Sequence, residues 1–213
     1  MPQSLSRIRR FTRVAVLVLL ASAAACTSDG DGDTDEGRTP GSASAAPVKP
    51  SGLSWRTWQD IDLPVSEQGP RQIDGAVASG FDHSPAGAAL AAIHTTVRMS
   101  VAPDGQWAAV GQHMIAPGPG RDRWATARAQ VSITHPATDT APRILGYTVL
   151  AYTDTEARTE TYSTYPDRSI TRNTSTVVWA NGEWRLHLPD TTTESLVTVV
   201  DSVPDNVVVL PKP

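Results

Sequence analysis

The dipeptide Asn181-Gly182 lies between two runs, Ile170–Ala180 and Glu183–Pro189, that are rich in β-branched and aromatic residues. A two-residue type I′ turn needs positive φ at both central positions, which Asn-Gly supplies. That turn fixes a register. Ala180 faces Glu183, Trp179 faces Trp184 and Val177 faces Leu186. Side chains alternate along a strand, so Val177, Trp179, Trp184, Leu186 and Leu188 share one face. Arg185 and His187 take the other. A hairpin so strongly apolar on one side has to be covered, which requires a layered domain around it. Two further strands are predicted upstream over Ile144–Thr153 and Ala157–Tyr165, joined around Asp154, with a turn at Pro166-Asp167.

Before the strands the spacing is helical. Ser84-Pro85 places an N-cap serine ahead of a first-turn proline. Ala86, Ala89, Leu90, Ile93 and Val97 then recur on one face to about Ser100. Ala88, Ala91 and Ala92 leave its flanks small enough for a close neighbour. Short helices are predicted over 104–115 and 122–129, separated by Pro117-Gly118-Pro119-Gly120. Residues 51–70 read as an extended lead-in whose Trp55 and Trp58 dock on the domain. Helices first and long hairpins last predict an α+β fold, with the N-terminal helices packed on one face of a curved antiparallel sheet. Tyr147, Tyr152, Tyr162, Trp179 and Trp184 are expected on the concave face of that sheet.

The other end of the chain bears on location. Arg7, Arg9, Arg10 and Arg13 precede an apolar run, Val14–Leu20, and then the small residues Ala21–Ala25. That is the layout of an export signal. The uncharged stretch from Val14 to Ser28 is shorter than the ~20 residues of a spanning helix. Cys26 is the only cysteine, so no internal disulfide can form. Ala23-Ala24-Ala25-Cys26 resembles the lipobox of bacterial lipoproteins, with Ala23 where that family favours leucine. The resemblance implies diacylation of the Cys26 thiol, palmitate being a typical acyl group, and cleavage just before it. It places the mature protein at the cell membrane, lipid-anchored on the extracytoplasmic face. Residues 1–25 are thus the signal peptide, 26–50 the lipidated cysteine and a disordered linker, and 51–213 one α+β domain.

Losing the four signal arginines takes the formal charge from −4 to −8. So acidic a chain is a poor nucleic-acid binder. The linker carries no large apolar side chain except Val48 and cannot offset the entropy of ordering. Its Asp29, Asp31, Asp33 and Asp35 do not make an EF-hand loop. Counted from Asp29, the sixth and twelfth positions hold Thr34 and Pro40 instead of Gly and Glu.

No catalytic, cofactor-binding or metal-ligating residue is assigned. Asp82-His83-Ser84 are consecutive, whereas a triad converges from separate segments, and Ser84 is already accounted for as a cap. His83, His94, His113, His135 and His187 form no i, i+3 or i, i+4 pair. His94 is read as a satisfied histidine on the helix face toward the sheet. Asn173-Thr174-Ser175 is a glycosylation sequon that a bacterial lipoprotein leaves unmodified.

Leu63-Pro64-Val65-Ser66, Gly69-Pro70, the block from Gly80-Phe81 through Ala92, and the ending Val178–Leu186 resemble a family of actinobacterial exported proteins, many encoded in integrative conjugative elements. The resemblance covers most of residues 55–189. It implies an NTF2-like domain, the fold also used by VirB8-type conjugation components, and carries over no catalytic residue. The lipobox-like anchor is this member's departure. Three functions follow as expectations. The first is a lipid-anchored, non-enzymatic interaction domain serving a conjugation or envelope complex. The second is a ligand-binding lipoprotein using an NTF2-like cavity. The third, weakest, is an enzyme in that cavity. A closed interior suits the first, an open apolar cavity with no titratable group the second, and a cavity holding His94 or an Asp the third.

Overall fold

A computed structural model describes residues 49–191 and 195–212. The signal, Cys26 and the linker up to residue 48 lie outside the described residues. The described chain opens on two hairpins. β1 (Ser54–Trp58) pairs with β2 (Ile61–Val65), and β3 (Gln72–Asp74) pairs with β4 (Val77–Ser79). Three helices follow, α1 (Pro85–Val101), α2 (Trp107–His113) and α3 (Pro119–Arg128). Then come β5 (Arg143–Tyr152), β6 (Glu156–Thr164), β7 (Ile170–Ala180), β8 (Glu183–His187), β9 (Val197–Val200) and β10 (Val208–Val209). These last six form one antiparallel sheet in the order β10-β5-β6-β7, with β8 and β9 both on the far edge of β7.

The β7–β8 hairpin has the register that Asn181-Gly182 demands. Both turn residues have positive φ, 55° and 77°, and Trp179 lies opposite Trp184 and Val177 opposite Leu186. The two indoles meet edge to face at 5.2 Å between centroids. β8 stops at His187 for a chemical reason. Continuing the register would set Pro189 opposite Thr174, and proline has no N–H to offer that strand. β9 then takes over the rest of β7, pairing Val197–Val200 with Ile170–Asn173.

The expectation of an NTF2-like α+β domain, with N-terminal helices layered on a curved sheet, is corrected. Among the described residues strands come first and outnumber helices ten to three. No layer of helices covers the sheet. α1 runs as a single helix between the sheet on one side and the two hairpins on the other. Ser84 caps it by accepting from the Gly87 N–H at 3.1 Å. From Ala86 to Thr95 every residue is buried, where one apolar face had been read. Ala88, Ala91 and Ala92 share a core with Ala76 and Ala78 of the second hairpin and Val177, Trp184 and Leu186 of the sheet. Ala89 and Ile93 pack with Ile61 and Leu63 of the first hairpin and with Tyr147. A helix covered all round can be apolar all round, and alanine lets both layers approach.

Two buried polar groups lock this helix to the hairpins. His94 Nε2 donates to the Pro64 carbonyl at 2.8 Å, and its Nδ1 accepts from Arg98 Nε at 3.4 Å. His94 is therefore satisfied, but toward β2 and not toward the sheet. Arg98, 1 % exposed, also donates to the Gly75 carbonyl and lies 4.7 Å over the Trp58 ring. Burial, with Arg98 beside it, holds the His94 imidazole at about 3. Burial, reinforced by Arg56, lowers the Arg98 guanidinium to about 10.

Candidate functional site

Inward positions of β7 read Thr171, Asn173, Ser175, Val177 and Trp179. The apolar half pairs with β8 and lies under α1, in the core. The polar half pairs with β9 and lies beyond it. The opposed residues of β6, Thr161 and Ser163, continue the polar half. The sheet thus changes from packing surface to open floor at Ser175.

Above this floor three cavities run together. The largest, about 900 Å³, lies between Met99 of α1, the Gly120, Trp124 and Ala127 side of α3, and Leu188, Pro189 and Leu196. A second, about 410 Å³, shares Met99, Leu188, Pro189 and Leu196 with it and reaches Asn173 and Ser175. A third, about 260 Å³, shares Thr96, Ser100, Asn173 and Val197 with the second and ends at Tyr165 and Thr140. Together they make one groove along the last turns of α1.

Two arginines set the outer wall. Arg128, buried on α3, donates to the Ala102 carbonyl at the end of α1 at 2.6 Å and pairs with Asp104 at 3.3 Å. Arg123 donates to the carbonyls of Pro189 and Asp190. α3 is therefore pinned to α1 at one end and to the segment after β8 at the other. The second junction needs a glycine. A Cβ on Gly120 would lie 2.3 Å from the Leu188 carbonyl oxygen. Gly120→Ala is expected to cost about 1–3 kcal/mol through that overpacking. A thermal melt checks it. An unchanged melting temperature would mean that α3 and the β8 exit are not held in contact.

The first chamber is mostly apolar, with Asp122, Arg123, Thr126 and Gln130 also in its lining. The inner chambers present hydroxyls, the Asn173 amide and the His187 imidazole. Thr96 and Ser100 give their protons to helix carbonyls, so they offer lone pairs to a guest. Among the described residues no hydroxyl lining the groove is bonded to a histidine or a carboxylate, the pairing that would activate a nucleophile. The groups with displaced pKa values lie elsewhere. His94, Arg98 and Tyr147, whose phenol burial pushes up, line none of the three chambers. Tyr162, raised to about 12 by burial and by donation to Glu160, is buried on the opposite face of the sheet.

Cys26 lies outside the described residues. Asp82, His83 and Ser84 are brought together as a structural clasp. His83 stacks on Trp179 at 4.1 Å and bonds the Asp154 carbonyl, and the Asp82 carbonyl accepts from Trp184 Nε1 at 2.9 Å. Ser84 is the helix cap. Among the described residues no His, Asp and Glu side chains gather into a possible metal site. Of the histidines only His187 touches the groove, and the sequon residues Asn173, Thr174 and Ser175 all line it. Sequence reasoning missed the groove. The signal for it was the run of polar residues at inward positions of β6 and β7, where a filled core would call for apolar ones.

Among the described residues no helix is long and apolar enough to cross a membrane. No curated protein and no solved structure matches the chain. One family model matches it over residues 21–207, nearly its whole length. The chain belongs to that family, described as a domain of unknown function (DUF8175).

Proposed function

We propose that the protein is a lipid-anchored, non-enzymatic interaction domain on the extracytoplasmic face of the cell membrane, and that the groove is its contact site. One observation carries the reading. The three chambers join into an elongated trough whose charged side chains, Asp122 and Arg123, belong to the first chamber alone, while the strongly perturbed titratable groups lie outside it. Such a trough suits a guest held by apolar contact and by neutral hydrogen bonds. A protein partner in a conjugation or envelope complex is the preferred guest, on the strength of the family resemblance and the lipobox-like Cys26. A small ligand is the second reading; an open cavity, not a closed interior, is what that reading expects, and the first chamber's volume of about 900 Å³ lies in the ordinary range for ligand pockets.

Two measurements test this. The neutral fluorescent probe N-phenylnaphthylamine should bind the native protein saturably, and Ala127→Glu, on the exposed wall of α3, should abolish binding without moving the melting temperature. Probe binding indifferent to that charge would remove the groove as the contact site. Separately, the wild-type chain should fractionate with membranes and be extracted by detergent. Cys26→Ser should release the chain or leave its precursor uncut. A Ser variant that is cleaved yet still membrane-bound overturns the anchor.

A further inference from the structure

The main sheet has three outer strands, and they are finished differently. β8 is covered along its free side, where Leu186 N–H donates to the Met114 carbonyl and Ala116 N–H to the Leu186 carbonyl. β10 is two residues long and lies between Pro204 and Pro211. Shortness and proline both blunt an edge. β9 has neither device. Among the described residues it pairs only with β7. Ser195-Leu196-Val197-Thr198-Val199-Val200 contains no charge and no proline. Val197 and Val199 are 49 % and 71 % exposed.

The register says which backbone groups are free. Thr174 N–H donates to the Leu196 carbonyl, so the even positions of β9 point at β7. By alternation Val197 and Val199 direct their N–H and C=O groups away from the sheet. The Val197 carbonyl accepts from the Ser195 hydroxyl at 2.7 Å, its one hydrogen bond among the described residues. We propose that β9 pairs antiparallel with β9 of a second copy of this chain, about a two-fold axis through Thr198. That register sets Val197 against Val199 of the other copy, in the two positions whose free groups can bond each other. Thr198 meets Thr198 as a non-hydrogen-bonded pair, Leu196 meets Val200, and Ser195 meets Asp201. No like charges are opposed. An edge that is its own complement in hydrogen bonds, in side-chain type and in charge fits a second copy, and such an isologous contact closes at two. The pairing shares Leu196 and Val197 with the groove wall, but Thr198 and Val199, the positions used to test it, line none of the three chambers.

The test uses the full chain in detergent. Sedimentation should give the mass of two chains at micromolar concentration. Val199→Lys, which charges the edge without touching the core, should weaken association at least ~tenfold by placing ammonium groups in adjoining cross-strand pairs. In a Cys26→Ser background, Thr198→Cys should oxidise to a covalent dimer, because residues in a non-hydrogen-bonded pair have Cα atoms about 4.5 Å apart, within disulfide reach. Val209→Cys, on the blunted edge, should not. A monomeric wild type overturns the proposal. So does a dimer that survives Val199→Lys, or one in which Val209→Cys cross-links as well as Thr198→Cys.

Discussion

Trp184→Ala should unfold this domain or bring it close to unfolding. The indole is 3 % exposed and sits in the core beneath α1 with Leu186 and Val177. It touches His83, Tyr152 and Trp179, and its Nε1 holds the Asp82 carbonyl just before the α1 cap. Truncation removes the packing, leaves a cavity and abandons a hydrogen-bond acceptor. Large-to-small changes of an aromatic core residue cost about 3–5 kcal/mol, a large part of the total stability of an ordinary domain. Arg185→Ala, on the other face of the same strand, gives up one bond to the Gln112 carbonyl and should cost about 1 kcal/mol. Gly182→Val should be intermediate, since φ of 77° is poorly tolerated by a β-branched residue. Urea melts of the three variants decide it. If Arg185→Ala is the most damaging, the hairpin register is not the one described.

Stability should also fall steeply in mild acid because of His94. Its imidazole is neutral in the fold, held at about 3 by burial and by Arg98, against about 6.5 in the unfolded chain. Protons therefore bind the unfolded state first as pH drops below 6.5. The contribution is complete above that value and is lost down to about 3. Between pH 7 and 5 the loss is about 2 kcal/mol, and by pH 3 about 4 kcal/mol. Asp104 and Asp167 titrate later, because hydrogen bonds from Ile133 and Ser132, and from Ser169, hold their carboxyls below the usual range. His94→Gln keeps a donor for Pro64 and an acceptor for Arg98 but cannot take up a proton. It should flatten the slope between pH 7 and 5 even if it is less stable at neutrality. An unchanged slope would exclude His94 as its origin.

The parts of the fold legible in the sequence are those whose punctuation is explicit. Ser84-Pro85 marks the start of α1, and Asn181-Gly182 sets the β7–β8 register. The first hairpin was missed because its turn residues, Gln59 and Asp60, take positive φ of 52° and 61° without a glycine. With that hairpin read as an extended lead-in, α1 was given one covered face, and the helix-on-sheet expectation followed. β9 was missed for another reason. A strand of eleven residues shared by two partners end to end leaves no local trace, and only Pro189 hints that the first partner must stop. The groove was hidden because its wall depends on Arg123 and Arg128 finding carbonyls 66 and 26 residues away.

The enclosure of α1 has a consequence for how the molecule opens. Its amides between Ala88 and Ile93 are shielded from solvent by two layers built from opposite ends of the chain. Loosening one layer alone leaves the other in place. These amides should therefore exchange with deuterium only through global unfolding, at one common slow rate, while β3, β4 and β10 exchange through local fraying. The helix is then the cooperative unit that makes the two hairpins and the sheet melt as one body.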